Sequence, residues 1–175
     1  MSNARIEGYA RALFEIARAE GSLDEVEDEL FRFARSYEGS EALRTALTDD
    51  MIPAGKRQAI VEDLLGGKAT STTTQLVSMV VGSGRGRELP AIIDQLVARA
   101  SSAKNLEVAE VRSAVALTSD QQTRLTAALA NATGKQVNLK VVVDPSVLGG
   151  IVATVGDTVI DGSVRTRLDQ LKARL

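Results

Sequence analysis

Residues Val141–Leu175 read VVVDPSVLGGIVATVGDTVIDGSVRTRLDQLKARL, and the rest of the chain is organised around this stretch. Val141 to Val143 predict a strand that stops at Asp144-Pro145, because proline lacks a backbone donor and restricts the residue before it. The pair Gly149-Gly150 predicts a bend or bulge, where positive φ or close backbone approach is required. Ile151, Ala153 and Val155 alternate with Val152 and Thr154, and Gly156-Asp157 is a two-residue turn signal leading into Thr158-Val159-Ile160. The segment therefore folds back on itself as a hairpin. Asp161-Gly162-Ser163 follows, offering a side-chain oxygen to a helix that carries Leu168, Leu171 and Leu175 on one side.

Upstream, the same alternation occurs at Val137, Leu139, Val141 and Val143, and Leu106 to Val115 reads as another strand. Between them Thr118-Ser119 starts a helix with Leu125, Ala128 and Leu129 on its inner side. Before Lys104 the period is different. Ile6, Tyr9, Ala10, Leu13, Ile16 and Ala17 recur at spacings of three and four, so the first helix has an apolar stripe that ends at Gly21. Ser22 or Asp24 caps a second helix with Leu23, Val26, Leu30, Phe33 and Tyr37. Its acidic run, Asp24 to Glu29, is expected to be a solvated face near the positive end of the helix dipole. A short third helix covers Glu41 to Leu47, and Pro53 opens a fourth that Gly66-Gly67 stops. Ala69 to Thr74 is expected to be loop and cap. The fifth helix then holds Leu76, Val77, Met79, Val80 and Val81, apolar nearly all round, so it is either central or covered by a partner. After a glycine-rich break, Ile92, Ile93, Leu96 and Val97 mark a sixth.

The expected fold class is α+β. A six-helix bundle over 1–104 precedes a small αβ domain over 105–175, with a short sheet, a C-terminal helix and the boundary within Ala100–Asn105.

Composition narrows the function classes. The 175 residues are 44% apolar and 25% charged, with 3% aromatic and no Cys or His. That removes disulfides, thiol and imidazole catalysis and the usual zinc ligand sets, and no cofactor is expected. The net charge is −2, divided as 13 basic and 16 acidic groups in 1–104 and 8 and 7 in 105–175. Neither part carries the field or the stacking aromatics expected of a nucleic-acid binder. Gly82-Ser-Gly-Arg-Gly-Arg87 lacks the third glycine of a dinucleotide loop and follows a helix instead of a strand. Gly134-Lys135 is followed by Gln136, where a phosphate-binding loop requires Ser or Thr. The amino-terminal residues lack an apolar signal core, and no stretch approaches the ~20 apolar residues of a membrane span. A cytoplasmic protein is expected.

The stretch VLGGIVATVGDTVIDGSVRTRLDQL resembles the C-terminal signature of the delta subunit of bacterial F-type ATP synthases, the counterpart of the mitochondrial oligomycin-sensitivity-conferring protein. The matching residues are Gly149, Gly150, Gly156, Asp157, the run Ile160-Asp161-Gly162-Ser163-Val164-Arg165, and Leu168. Gly8-Tyr9-Ala10-Arg11-Ala12-Leu13-Phe14 resembles the family's opening helix, and Arg85 with Glu88-Leu89-Pro90 its turn into the sixth. Ser83 stands where the family often has Asn, and Gly86 where an apolar residue is usual. The resemblance implies a non-catalytic stator subunit, present once per complex, that supports proton-coupled ATP synthesis. Its helical domain would receive an N-terminal helix of the alpha subunit between its first and fifth helices. Its smaller domain would meet the peripheral-stalk b subunits. It would lie on the cytoplasmic face of the membrane and touch the bilayer only through the complex. Tyr9, Leu13, Leu76, Val77, Val80 and Val81 are the residues expected to line that groove. An RNA-binding module or a generic helix-binding adaptor is the alternative.

Overall fold

The computed structural model describes residues 2–162. The C-terminal helix expected after Gly162, with Ser163, Arg165 and Leu168, lies outside the described residues. The chain forms two compact units, Met1–Ala100 and Ser101–Leu175.

The first unit is built from α1 (Ser2–Ala19), α2 (Leu23–Gly39), α3 (Glu41–Thr48), α4 (Ala54–Leu65) and α5 (Ser71–Gly82). A 3₁₀ turn at Gly86–Glu88 then leads into α6 (Leu89–Ala103), whose last turn crosses the division. Local chemistry sets most boundaries. Ser40 ends α2 and starts α3, its hydroxyl accepting from the Leu43 amide at 3.2 Å. Pro53 is the N-cap of α4, and Thr70 that of α5, accepting from the Thr73 amide at 3.2 Å. Pro90 sits in the first turn of α6, where no intrahelical donor is needed.

Three expectations are corrected here. α5 begins at Ser71, a full turn before the apolar run, so Thr72 and Thr73 are buried helical residues rather than loop. Ser22 occupies the N-cap of α2, but its hydroxyl makes no capping bond. The acidic run of α2 is not uniformly solvated. Glu27 is 1% exposed, because it shares a face with Phe31 and Ala34 at helical spacing.

α5 is central. Leu76, Val77, Val80 and Val81 are at most 4% exposed, and Leu13, Leu30, Leu47 and Ile93 are buried with them in the first unit. Each such side chain contributes about 1.5–3 kcal/mol by leaving water. The turn before α6 explains the glycine at 86. A Cβ there would lie 2.6 Å from the Leu47 carbonyl oxygen, so α3 and the turn meet backbone to backbone. The Tyr37 hydroxyl donates to the Gly86 carbonyl at 2.8 Å. Ser83 caps the end of α5 by donating from its hydroxyl to the Val80 carbonyl at 2.8 Å.

The second unit contains β1 (Glu107–Ser113), α7 (Ser119–Thr133), β2 (Val137–Val143), β3 (Ile151–Val155) and β4 (Thr158–Asp161). α7 has a complete capping box between Thr118 and Gln121 and ends at Gly134 with φ 70°. That left-handed cap releases the chain into β2, which pairs parallel to β1 with Glu107 beside Val137. β3 pairs antiparallel on the other edge of β1, with Ser113 opposite Ile151, and β4 pairs with β3 through the two-residue Gly156-Asp157 turn. The strand order is β2-β1-β3-β4.

Ala109, Val111, Leu129, Val137, Ala153 and Val155 form the core beneath this sheet, flanked by Leu125 and Leu139. Two expected inner positions differ. Ala128 is exposed, since the buried stripe of α7 runs through Leu125 and Leu129. Val143 is 52% exposed, while Lys140 is 5% exposed and lies beside Glu110 in the parallel register.

Candidate partner-binding surface

The ends of α1 and α5 are tied by one hydrogen bond, in which the Thr72 hydroxyl donates to Glu20 Oε2 at 2.5 Å. Helical periodicity extends the meaning of that bond along both helices. On α1, Ile16 lies one turn before Glu20, and Tyr9 two turns before Ile16, on the same flank. On α5, Met79 lies two turns after Thr72. In line with that bond, α1 carries Ile16 and Tyr9 and α5 carries Met79, which together with Gln75 also borders the recess between α4 and α5.

Exposure divides these residues from those beneath. Ile16 is 38% and Met79 41% exposed, and Tyr9 is half-buried. Leu13 and Val77 are each 1% exposed, Leu76 4%, and Val80 and Val81 are fully buried. Of the six residues singled out from the sequence, Tyr9 alone presents substantial surface. The other five are core side chains that hold α1 and α5 in place. The sequence did contain the missing signal. Met79 interrupts the run of valines at the position where α5 turns outward, in line with the exposed Ser71 and Gln75 at four-residue intervals.

The start of α5 is also held from α2. The Glu29 carboxylate accepts from the Thr70 amide at 3.0 and 3.1 Å and from the Thr70 hydroxyl at 2.8 Å. Burial pushes the Glu29 pKa upward, but hydrogen bonds from Thr73 and Thr70 and the nearby charge of Arg32 outweigh it. The carboxyl is held below its ordinary value. A charged acceptor at a helix N-terminus is favourable, since the first amides of a helix lack intrahelical partners. Sequence reasoning missed this role because the partners are 41 residues apart.

The glycine signature of the second unit is architectural within the described residues. Gly149 and Gly150 have φ of 66° and 73°, and Gly156 has φ 55° in the hairpin turn beside the exposed Asp157. Asp161 ends β4 opposite Val152, and the Gly162 amide donates to the Ile151 carbonyl at 2.9 Å. The loop before β3 is shaped by Asp144, which accepts from the Ser146 amide at 2.9 Å and its hydroxyl at 2.6 Å. These two bonds hold the Asp144 carboxyl below its usual range, with a further contribution from Arg112. Among the described residues, no group of three or more His, Cys, Asp or Glu side chains could hold a metal ion, and no helix is long and apolar enough to cross a membrane.

Comparison with known proteins places this arrangement. Residues 6–175 match the sequence profile of the family described as ATP synthase delta (OSCP) subunit. The chain is 46% identical over 159 residues to an ATP synthase subunit delta of Streptomyces avermitilis, covering 91% of this chain and 58% of that protein. It is 44% identical over 164 residues to the subunit delta of Nocardia farcinica, covering 94% and 61%. The chain thus spans about three-fifths of the length of these relatives. A chain in the cryo-EM structure of the Toxoplasma gondii mitochondrial ATP synthase hexamer superposes with a TM-score of 0.57 at 27% identity, over 97% of this chain and 96% of that one. With the profile match running through both units, the chain belongs to the ATP synthase delta (OSCP) subunit family.

Proposed function

We propose that this chain is a non-catalytic stator subunit of an F-type ATP synthase, joining the alpha/beta catalytic head to the peripheral-stalk b subunits. It would resist rotor torque from the cytoplasmic face of the membrane, with no bilayer contact of its own. The observation that carries this reading is the family match across both compact units, because a stator needs two attachments. The helical unit takes the head and the αβ unit takes the stalk. The α1–α5 flank suits an amphipathic N-terminal helix of the alpha subunit, with Tyr9, Ile16 and Met79 as contact residues above a floor of Leu13 and Leu76. Val77, Val80 and Val81 support that floor from inside. Neither RNA binding nor a generic adaptor role has an observation of this kind behind it.

The test is binding of a synthetic alpha-subunit N-terminal helix to the full chain, followed by NMR. Signals of Tyr9, Ile16 and Met79 are expected to shift. Ile16→Asp with Met79→Asp should weaken binding at least about tenfold, or about 1.4 kcal/mol, by setting carboxylates against the apolar face of the helix. Ile16 and Met79 are 38% and 41% exposed, and circular dichroism melts of the variants check that they remain folded. Unchanged affinity in the double variant would remove the α1–α5 flank from the interface.

A further inference from the structure

We propose that Thr72 is the positioning residue of the α1–α5 flank, holding α1 and α5 through Glu20 in the arrangement that a partner helix binds. The proposal rests on that flank being the site of the alpha-subunit helix. Thr72 is 7% exposed and lies beneath the contact surface, so its effect on binding passes through its neighbours. Within a helix a threonine hydroxyl can turn back to the carbonyl four residues earlier, as Thr74 does to Thr70 at 3.0 Å. Thr72 instead sends its hydroxyl out of its own helix, to Glu20 Oε2 at 2.5 Å. A hydrogen bond to a carboxylate is short, and about twice as strong as one between neutral groups.

Both ends of the bond are anchored. α1 stops in a turn where the Ser22 amide donates to the Ala17 carbonyl and the Gly21 amide to the Arg18 carbonyl, each at 3.1 Å, with Gly21 at φ 70°. This pair of bonds closes the helix end and fixes the backbone of Glu20, which lies between. Thr72 sits in the first turn of α5, whose start is set by the Thr70 cap and by the Glu29 carboxylate from α2. The link therefore joins two fixed points. Ile16 is one turn, about 6 Å, back along α1, and Met79 two turns, about 10 Å, along α5. Thr72 and Glu20 thus pin one end of the surface that these exposed side chains form, and loss of the pin frees its two sides to shift.

The test measures binding of a synthetic alpha-subunit N-terminal helix to the full chain and its variants. Thr72→Val keeps the branched shape and removes the hydroxyl. A competent arrangement reduced to about a fifth of the molecules lowers apparent affinity about fivefold, and at least that loss is expected. Thr72→Ser, which keeps the hydroxyl, should bind as the parent does. Glu20 is exposed, so Glu20→Ala breaks the same bond without touching the core. It should weaken binding to the same degree, and the double variant no further, because both residues act through one bond. Tyr37→Phe loses a hydrogen bond elsewhere in the unit and should leave affinity unchanged, which separates positioning from a general loss of stability. Circular dichroism melts check that each variant remains folded. With the peptide shifting Tyr9, Ile16 and Met79 in the parent, an undiminished affinity in Thr72→Val would overturn the positioning role alone, as would an equal loss in Tyr37→Phe or no rescue by serine. Losses that add in the double variant would mean that Glu20 touches the peptide directly, and would overturn it too. Shifts in the parent confined to Gln58 and Glu62, on the α4–α5 side, would instead remove the flank itself, and the proposal with it.

Discussion

Replacing Gly86 by Ala adds a single methyl group at the most confined glycine of the turn before α6. The new carbon would sit 2.6 Å from the Leu47 carbonyl oxygen and 3.3 Å from Thr48 Cγ2. The nearest atom is backbone, so no side chain can swing away. Leu47 is itself fully buried, so α3 cannot retreat without disturbing the core. Overpacking of this kind costs about 1–3 kcal/mol. Moving the Gly86 carbonyl away from the Tyr37 hydroxyl, now 2.8 Å distant, costs about 1 kcal/mol more. The reduced freedom of the unfolded chain returns about 0.4–1 kcal/mol. A net loss of about 2–3 kcal/mol is expected, and at roughly 4–8 °C per kcal/mol for a unit of this size the thermal midpoint should fall by roughly 10–20 °C. Tyr37→Phe should cost about 1 kcal/mol alone, and less in the presence of Gly86→Ala, because both act through one hydrogen bond. Circular dichroism melts of the parent, both single variants and the double variant measure this cycle. A Gly86→Ala midpoint within about 2 °C of the parent would refute the backbone-contact reasoning.

The remaining expectations concern the α5 cap and the glycine pair. Glu29→Gln keeps the shape of the acceptor but removes its charge, and should cost about 0.5–2 kcal/mol in urea unfolding at neutral pH. Because the folded-state pKa of Glu29 is lowered, its contribution is complete above the unfolded-state value and is lost as pH falls through the folded one. Acid titration should therefore destabilise the parent more than Glu29→Gln, and parallel curves would deny the charge a role. Gly149→Val places a β-branched residue at φ 66°, at a cost of at least about 1–2 kcal/mol. NMR signals of β1 and β3 should shift or broaden while those of α1 to α5 stay in place, and an undisturbed sheet would show that positive φ is not required there.

Much of this architecture is legible in the sequence because it is set within a few residues. The three-and-four spacing of α1 and α2, Pro53 before α4, the helix start at Thr118-Ser119 and the Gly156-Asp157 hairpin all act over one turn of chain, and each appears in the structure where the pattern puts it. Periodicity also marks α5 as apolar nearly all round, hence either central or covered by a partner, and the structure makes it central. The line Ser71, Gln75 and Met79 marks the outward side, but on a nearly all-apolar helix its contrast is weak, and only the structure separates Val80, fully buried, from Met79, 41% exposed. Tertiary structure alone decided that β1 lies between a parallel and an antiparallel neighbour, since strand order depends on contacts that span the whole unit. It also brought Glu29 to Thr70, buried Glu27, and pressed Gly86 against the Leu47 carbonyl. In each case the partner is supplied by a distant part of the chain, and a side chain's neighbours are fixed only once the helices have packed.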